Sequence, residues 1–144
     1  MIIDDLQLTG ALQISLNNEI VHQCDNLVVT AGKNWVAGRF KDGSIPDEMS
    51  HMAIGSADTA PAAGNTALAT ELNRIALTTD GGTVSTNTVQ YDASWTSAAA
   101  AYAITEAGIF NAATGGTMLA RTTFAVINKG TDDTVSISWT ITVS

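Results

Sequence analysis

A lone acid, Glu106, lies inside the apolar run AITEAGIF, and a lone base, Arg121, lies inside MLARTTF. Glu71 and Arg74 form a second acid–base couple beside the apolar residues of TELNRIAL. Charged side chains among apolar neighbours are the raw material of an acid–base site in a cleft, because burial and opposite charge both shift proton affinity. They are also the raw material of ion pairs that pin strands in register. A nucleophile or a metal ligand close by would favour catalysis, and the sequence supplies neither. It lacks a Gly-x-Ser-x-Gly elbow, a phosphate loop with lysine and a His-Glu-x-x-His helix. His22, His51 and Cys24 have no metal-ligand spacing, and both histidines read as strand residues. Asp4-Asp5 and Asp132-Asp133 are sequence neighbours, which point to opposite faces of a strand and so make no carboxylate dyad. Asp58 and Asp80 lie in turns with no calcium-loop pattern around them. The expectation is no enzyme activity, no cofactor and no metal, with Glu106, Arg121, Glu71 and Arg74 as structural ion pairs.

The elements that must carry these residues read as strands. Residues 103–127 form two strands around Asn111 and Thr114-Gly115-Gly116, where paired glycines supply positive φ. Glu106 is on the incoming strand and Arg121 on the outgoing one. Val135–Val143 alternates without a break: Val135, Ile137, Trp139, Ile141 and Val143 on one face, Ser136, Ser138, Thr140 and Thr142 on the other. That is an antiparallel strand with one buried face. Residues 88–96 alternate in the same way, with Val89, Tyr91, Ala93 and Trp95 inward. Residues 11–23 make a hairpin about Asn17-Asn18, residues 50–56 a short strand with Met52 and Ile54 on one side, and residues 74–79 another. Asp80-Gly81-Gly82 is a turn. Within residues 26–40 a helix of two to three turns is expected, capped by Thr30, with Val36 and Phe40 on one face. Residues 65–72 are compatible with a helical turn. Residues 1–10 read as an arm, and residues 11–144 as one domain.

Eight or nine strands at intervals of 8–15 residues predict an all-β fold, a jelly-roll-like antiparallel β-sandwich with one short helix. The chain has 144 residues, ample for a core without disulfides. Charged residues are only 14%, against roughly 25% in ordinary globular domains, so much of the surface is expected to meet a partner. The formal net charge is −8 and the six bases are scattered. That argues against nucleic acid and against an anionic membrane. No apolar run is long enough for a membrane span, and MIIDD places acids where a secretion signal needs bases. Synthesis in a cytoplasm is the expectation.

Three segments, TAGKNWVAGRF, MSHMAIGSADTAPAAGNTALATELNRIAL and ITEAGIFNAATGGTMLARTTFAVINKGTDDTVSISWTITV, carry the pattern TAL-x-x-EL-x-R … TEAGIF … R-x-x-F. It resembles a group of small structural proteins of tailed bacteriophages, described as tail-fibre or virion proteins. The length and the expected jelly roll are also similar to podophage capsid cement proteins, including the Bordetella phage type. The resemblance implies a protein of the capsid surface, a homodimer or homotrimer that binds the major capsid protein and bridges its subunits. It implies no catalytic residues, no small-molecule substrate, no nucleic acid and no membrane. The contact surfaces expected on this reading are the arm (Ile2, Ile3, Asp4, Asp5), the loop over residues 41–49 (Lys41, Asp42, Ile45, Pro46) and the loop over residues 57–64 (Asp58, Pro61). The basic cluster Lys33, Arg39 and Lys41 is a further candidate face. A tail-fibre or baseplate component touching a host receptor, and a carbohydrate-binding jelly roll, are the alternative functions. Sugar stacking would require exposed Trp35, Tyr91, Trp95 or Tyr102.

Overall fold

The computed structural model describes residue 2, residues 4–41 and residues 43–144. Ile3 and Asp42, both named above as contact residues, lie outside the described residues. Ten strands and one helix run in the order β1 (Leu8–Leu16), β2 (Glu19–Asp25), β3 (Leu27–Val28), α1 (Thr30–Arg39), β4 (His51–Gly55), β5 (Glu71–Ala76), β6 (Thr83–Ser85), β7 (Thr88–Trp95), β8 (Tyr102–Phe110), β9 (Met118–Lys129) and β10 (Val135–Val143). They form two five-stranded antiparallel sheets, ordered β2-β1-β10-β7-β6 and β3-β9-β8-β4-β5. We call these the first and the second sheet. The all-β sandwich with one short helix is therefore the architecture. The last four strands wind as in a jelly roll: β7 pairs with β10 in one sheet while β8 pairs with β9 in the other.

Strand phase explains the core. Val135, Ile137, Trp139 and Ile141 of β10 meet Leu12 and Ile14 of β1 and Tyr91, Ala93 and Trp95 of β7 on the inner face of the first sheet. Met52, Ile54, Ile104, Ala107, Ile109, Leu119 and Ala120 answer from the second. Two buried indoles need acceptors, and two asparagines provide them, Asn26 between β2 and β3 and Asn73 on β5. Trp139 donates its Nε1–H to Asn26 Oδ1 at 2.8 Å, and Trp95 to Asn73 Oδ1 at 2.9 Å. Gly10 is required here, since a Cβ at that position would land on the Asn26 amide.

The chain departs from the expectations at five places, each for a local physical reason. β1 begins at Leu8, inside the segment read as an arm, because Leu8 pairs with Val143 and Gln7 exchanges backbone hydrogen bonds with Ser144. Thr30 does not cap the helix. Val29 is the N-cap residue without a side-chain bond, and Ala63 O accepts the Thr30 N–H at 2.8 Å instead. Phe40 lies past the end of the helix and is 82% exposed rather than packed. The helix approaches the sheet through Gly32, where a Cβ would strike the Leu119 backbone. Residues 65–70 form no helical turn, and Glu71 opens β5. Finally, β3 and β6 are two- and three-residue edge strands with too short a pattern to recognise.

Candidate functional site

The second sheet has a second, outer layer. A bulge between Ile104 and Glu106 shifts the phase of β8. Ile104, Ala107 and Ile109 face the sandwich core, while Glu106, Gly108 and Phe110 face outward. On that outer face Phe110, Met118, Ala53, Val29 and Leu68 make a small apolar cluster of their own. Residues 56–70 lie across it as a loop without regular structure.

Glu106 and Arg121 hold this loop. They are 0% and 1% exposed, and their ion pair is 2.8 Å long. Glu106 Oε2 accepts from Arg121 Nε and Nη2 and from the Ala69 N–H, at 3.0, 2.8 and 3.1 Å. Its Oε1 accepts from the N–H groups of Thr70 and Ala57, at 2.8 and 3.3 Å. Arg121 also donates to Thr59 O at 2.9 Å and to Asn65 Oδ1 at 3.2 Å. Asn65 in turn accepts the Ala62 N–H at 2.8 Å. The pair is diagonal across β8 and β9, with Thr123 opposite Glu106 and Gly108 opposite Arg121. It does not lie between the two sheets. Its hydrogen bonds go mainly to loop backbone, so it anchors the loop more than it sets register. Every buried donor and acceptor of the pair has a partner, which is what makes a buried charge tolerable. Gly55 completes the seat: a Cβ there would meet the Glu106 carboxylate and Thr70 O.

Glu71 and Arg74 also turn out to hold a loop. Both are on β5, paired at 2.6 Å, with the Arg74 side chain nearly buried and that of Glu71 one-third exposed. Arg74 donates to Ala112 O at 3.0 Å and to Gly115 O at 2.9 Å, and its guanidinium lies 3.7 Å above the Phe110 ring. The loop between β8 and β9 is thereby tied to β5.

A third buried cation gave only a faint signal in the sequence. Lys129 is 2% exposed and donates to the carbonyls of Ala99, Ala100 and Gly130 at 3.4, 3.3 and 3.1 Å. It closes the corner where the loop after β7 meets the turn after β9. Its place two residues after buried Ile127 was the one available hint, and a charged turn concealed it.

The remaining site residues scatter over the surface. Ile2, Asp4, Asp5, Lys41, Ile45 and Asp58 are exposed, and Pro46 and Pro61 are half-buried. Pro46 O accepts from Arg39 at 2.6 Å. Tyr91 and Trp95 are buried, so they offer no sugar-stacking face. Trp35 is half-buried, its Nε1–H donated to Asp47 O at 2.7 Å. Among the described residues no group of three or more His, Cys, Asp or Glu side chains could hold a metal ion. Among the described residues no helix is long and apolar enough to cross a membrane.

Among the described residues none forms such a covering layer on the outer face of the first sheet. Register aligns Thr9, Thr142 and Thr88 in one row, Ala11, Thr140 and Gln90 in the next, then Gln13, Ser138 and Asp92, then Ser15, Ser136 and Ser94. Asp92 accepts from Gln90 Nε2 and from Ser138 Oγ, and the hydroxyls of Ser94 and Ser136 are 2.8 Å apart. These rows contain hydroxyls, amides and a single carboxylate.

No protein-family model, curated protein or solved structure matches this chain.

Proposed function

We propose that this chain is a structural protein of a tailed-bacteriophage particle, a cement protein that binds the major capsid protein on the outer shell and bridges its subunits. The observation that carries the reading is the anchored loop over residues 56–70. Its exposed side chains are short, Asp58, Thr59, Ala60, Ala62 and Ala63 among them. Its backbone is held by the buried pair Glu106–Arg121. A loop already ordered before contact loses little entropy on docking, so a modest contact area gives useful affinity. Bridging then multiplies small interfaces through effective concentration, because each copy touches more than one shell subunit. The low charge of the chain and its bare hydroxyl-rich sheet suit a surface that adheres to protein rather than to nucleic acid. The buried charged groups Glu106, Arg121 and Lys129 are engaged in hydrogen bonds to backbone and to each other, which favours scaffold over catalyst.

The test is particle stability. Phage particles assembled without the chain are expected to rupture on heating or osmotic shock, and purified chain added back should restore them. Replacing Asp58 and Ala60 with lysine should abolish that rescue while leaving the fold intact. Heads that are equally stable with and without the chain would sink the cement reading. Density on the tail instead of the shell in a particle reconstruction would move the protein to the tail-component alternative.

A further inference from the structure

The exposed positive charge of the described surface is confined to one place. Of six basic side chains, Arg74, Arg121 and Lys129 are committed to carboxylates and carbonyls inside the fold. The other three, Lys33, Arg39 and Lys41, are exposed on α1 and the residues that follow it. Lys33 lines a groove of about 480 Å³ together with Leu6, Gln7, Leu8, Val36, Phe40 and Val143, and Lys41 follows Phe40 in the chain, while Arg39 is turned to the carbonyl of Pro46. Phe40 is 82% exposed and Leu6 69% exposed. An aromatic ring left that open next to other apolar groups is unlike ordinary scattered surface hydrophobics and marks a contact surface. The occupant should therefore be apolar and acidic.

The same chain carries such a segment. Ile2, Asp4, Asp5 and Leu6 combine apolar side chains with two carboxylates and lead directly into β1 at the mouth of the groove. Asp4 and Asp5 make no ion pair among the described residues, and Ile2 is 94% exposed. We propose that the arm of a second copy docks on this groove, with Ile2 covering Phe40 and with Asp4 and Asp5 against Lys33 and Lys41. From Leu6 back to Ile2 the arm reaches about 14 Å at full extension, enough to cross to a neighbour whose groove faces this one. The exchange is reciprocal: each copy lends an arm and receives one, so a two-fold arrangement pairs opposite charges twice. A symmetric contact of helix on helix without the arms would oppose like charges. This association is independent of the shell-binding reading, since it concerns purified chain with no other protein present.

Sedimentation of the full chain tests it. The unsubstituted chain should self-associate, less strongly as salt rises. Asp4→Lys with Asp5→Lys should weaken association about ten-fold or more, and so should Lys33→Glu with Lys41→Glu. All four positions are exposed, so the fold should survive, and circular dichroism checks that. The decisive arm is an equimolar mixture of the two variants. Arms turned positive then meet helices turned negative, while the unaltered arms and helices still match, so a heterodimer should form although neither variant pairs with itself. An unsubstituted chain that stays monomeric, a reversed variant that associates like the parent, or a mixture that fails to associate would each overturn the proposal.

Discussion

Glu106 accepts five N–H groups with its two oxygens, three of them from the loop over residues 56–70. Removing that carboxylate leaves Arg121 buried without its partner and leaves loop amides without an acceptor. Glu106→Ala should therefore cost about 3–5 kcal/mol. Native-state proteolysis should then cut first within the loop. A mutant whose melt matches the parent would show that the pair contributes nothing. Tyr91 supports a prediction in pH. Desolvation by burial is the main cause that pushes its phenol up to about 12, with Arg39 lowering it and Glu48 raising it. A raised folded value means the folded state holds its proton more tightly, so the contribution to stability is intact below the unfolded value near 10 and is lost as pH climbs through about 12. Ultraviolet titration of the native protein should find Tyr91 silent until that range. Asp133 behaves in the opposite sense. The hydrogen bond from Asn17, then that from the Gly130 N–H, holds its carboxyl below the ordinary value. Its stabilisation is present above the unfolded value and is lost as pH falls through the lowered one. Asn17→Ala should therefore raise the Asp133 value, as carbon-detected NMR titration would read.

The element that most depends on one residue is α1. Its ten residues carry no side-chain cap at the start, and a helix that short is marginal alone. It persists because Gly32 allows its backbone against Leu119 O and because Ala63 O takes the Thr30 N–H. Gly32→Ala should push the helix off β9 and cost about 1–3 kcal/mol, even though alanine is the better helix former. A stabilised mutant would mean the contact is slack. Val135–Val143 and the strand read over residues 88–96, which ends at Trp95, were legible within a residue, because period-two alternation is local information, although Val143 at the end of its apolar face is exposed. Asn17-Asn18 was legible as a turn, and both residues do take positive φ, 51° and 67°. The covering of the second sheet was not legible. The Glu106 phase depends on a bulge, and the anchoring of residues 56–70 depends on contacts 36 to 62 residues away in the chain. The acid and base could be picked out by their apolar neighbours, but which layer would bury them could not.

At the scale of the molecule, the sandwich closes late. β10 sits between β1 and β7, so the first sheet cannot assemble until the last strand is in place. Non-local pairing of this kind folds slowly, on the order of milliseconds to seconds. A chain ending at residue 134 should remain unfolded, with the tryptophan emission of a solvated indole, because Leu12 and Ile14 lose their partners Trp139 and Ile137. Folded structure in that truncated chain would mean the second sheet is a stable unit on its own. The backbone bonds between Gln7 and Ser144, at 2.7 and 2.9 Å, have a topological consequence. With residues 7 and 144 tied both ways, the strands form an almost closed ring, and the fold depends on their cyclic order rather than on where the ring is cut. A circular permutant, joined through that corner by a short glycine linker and opened at exposed Gly43, should regain the same architecture.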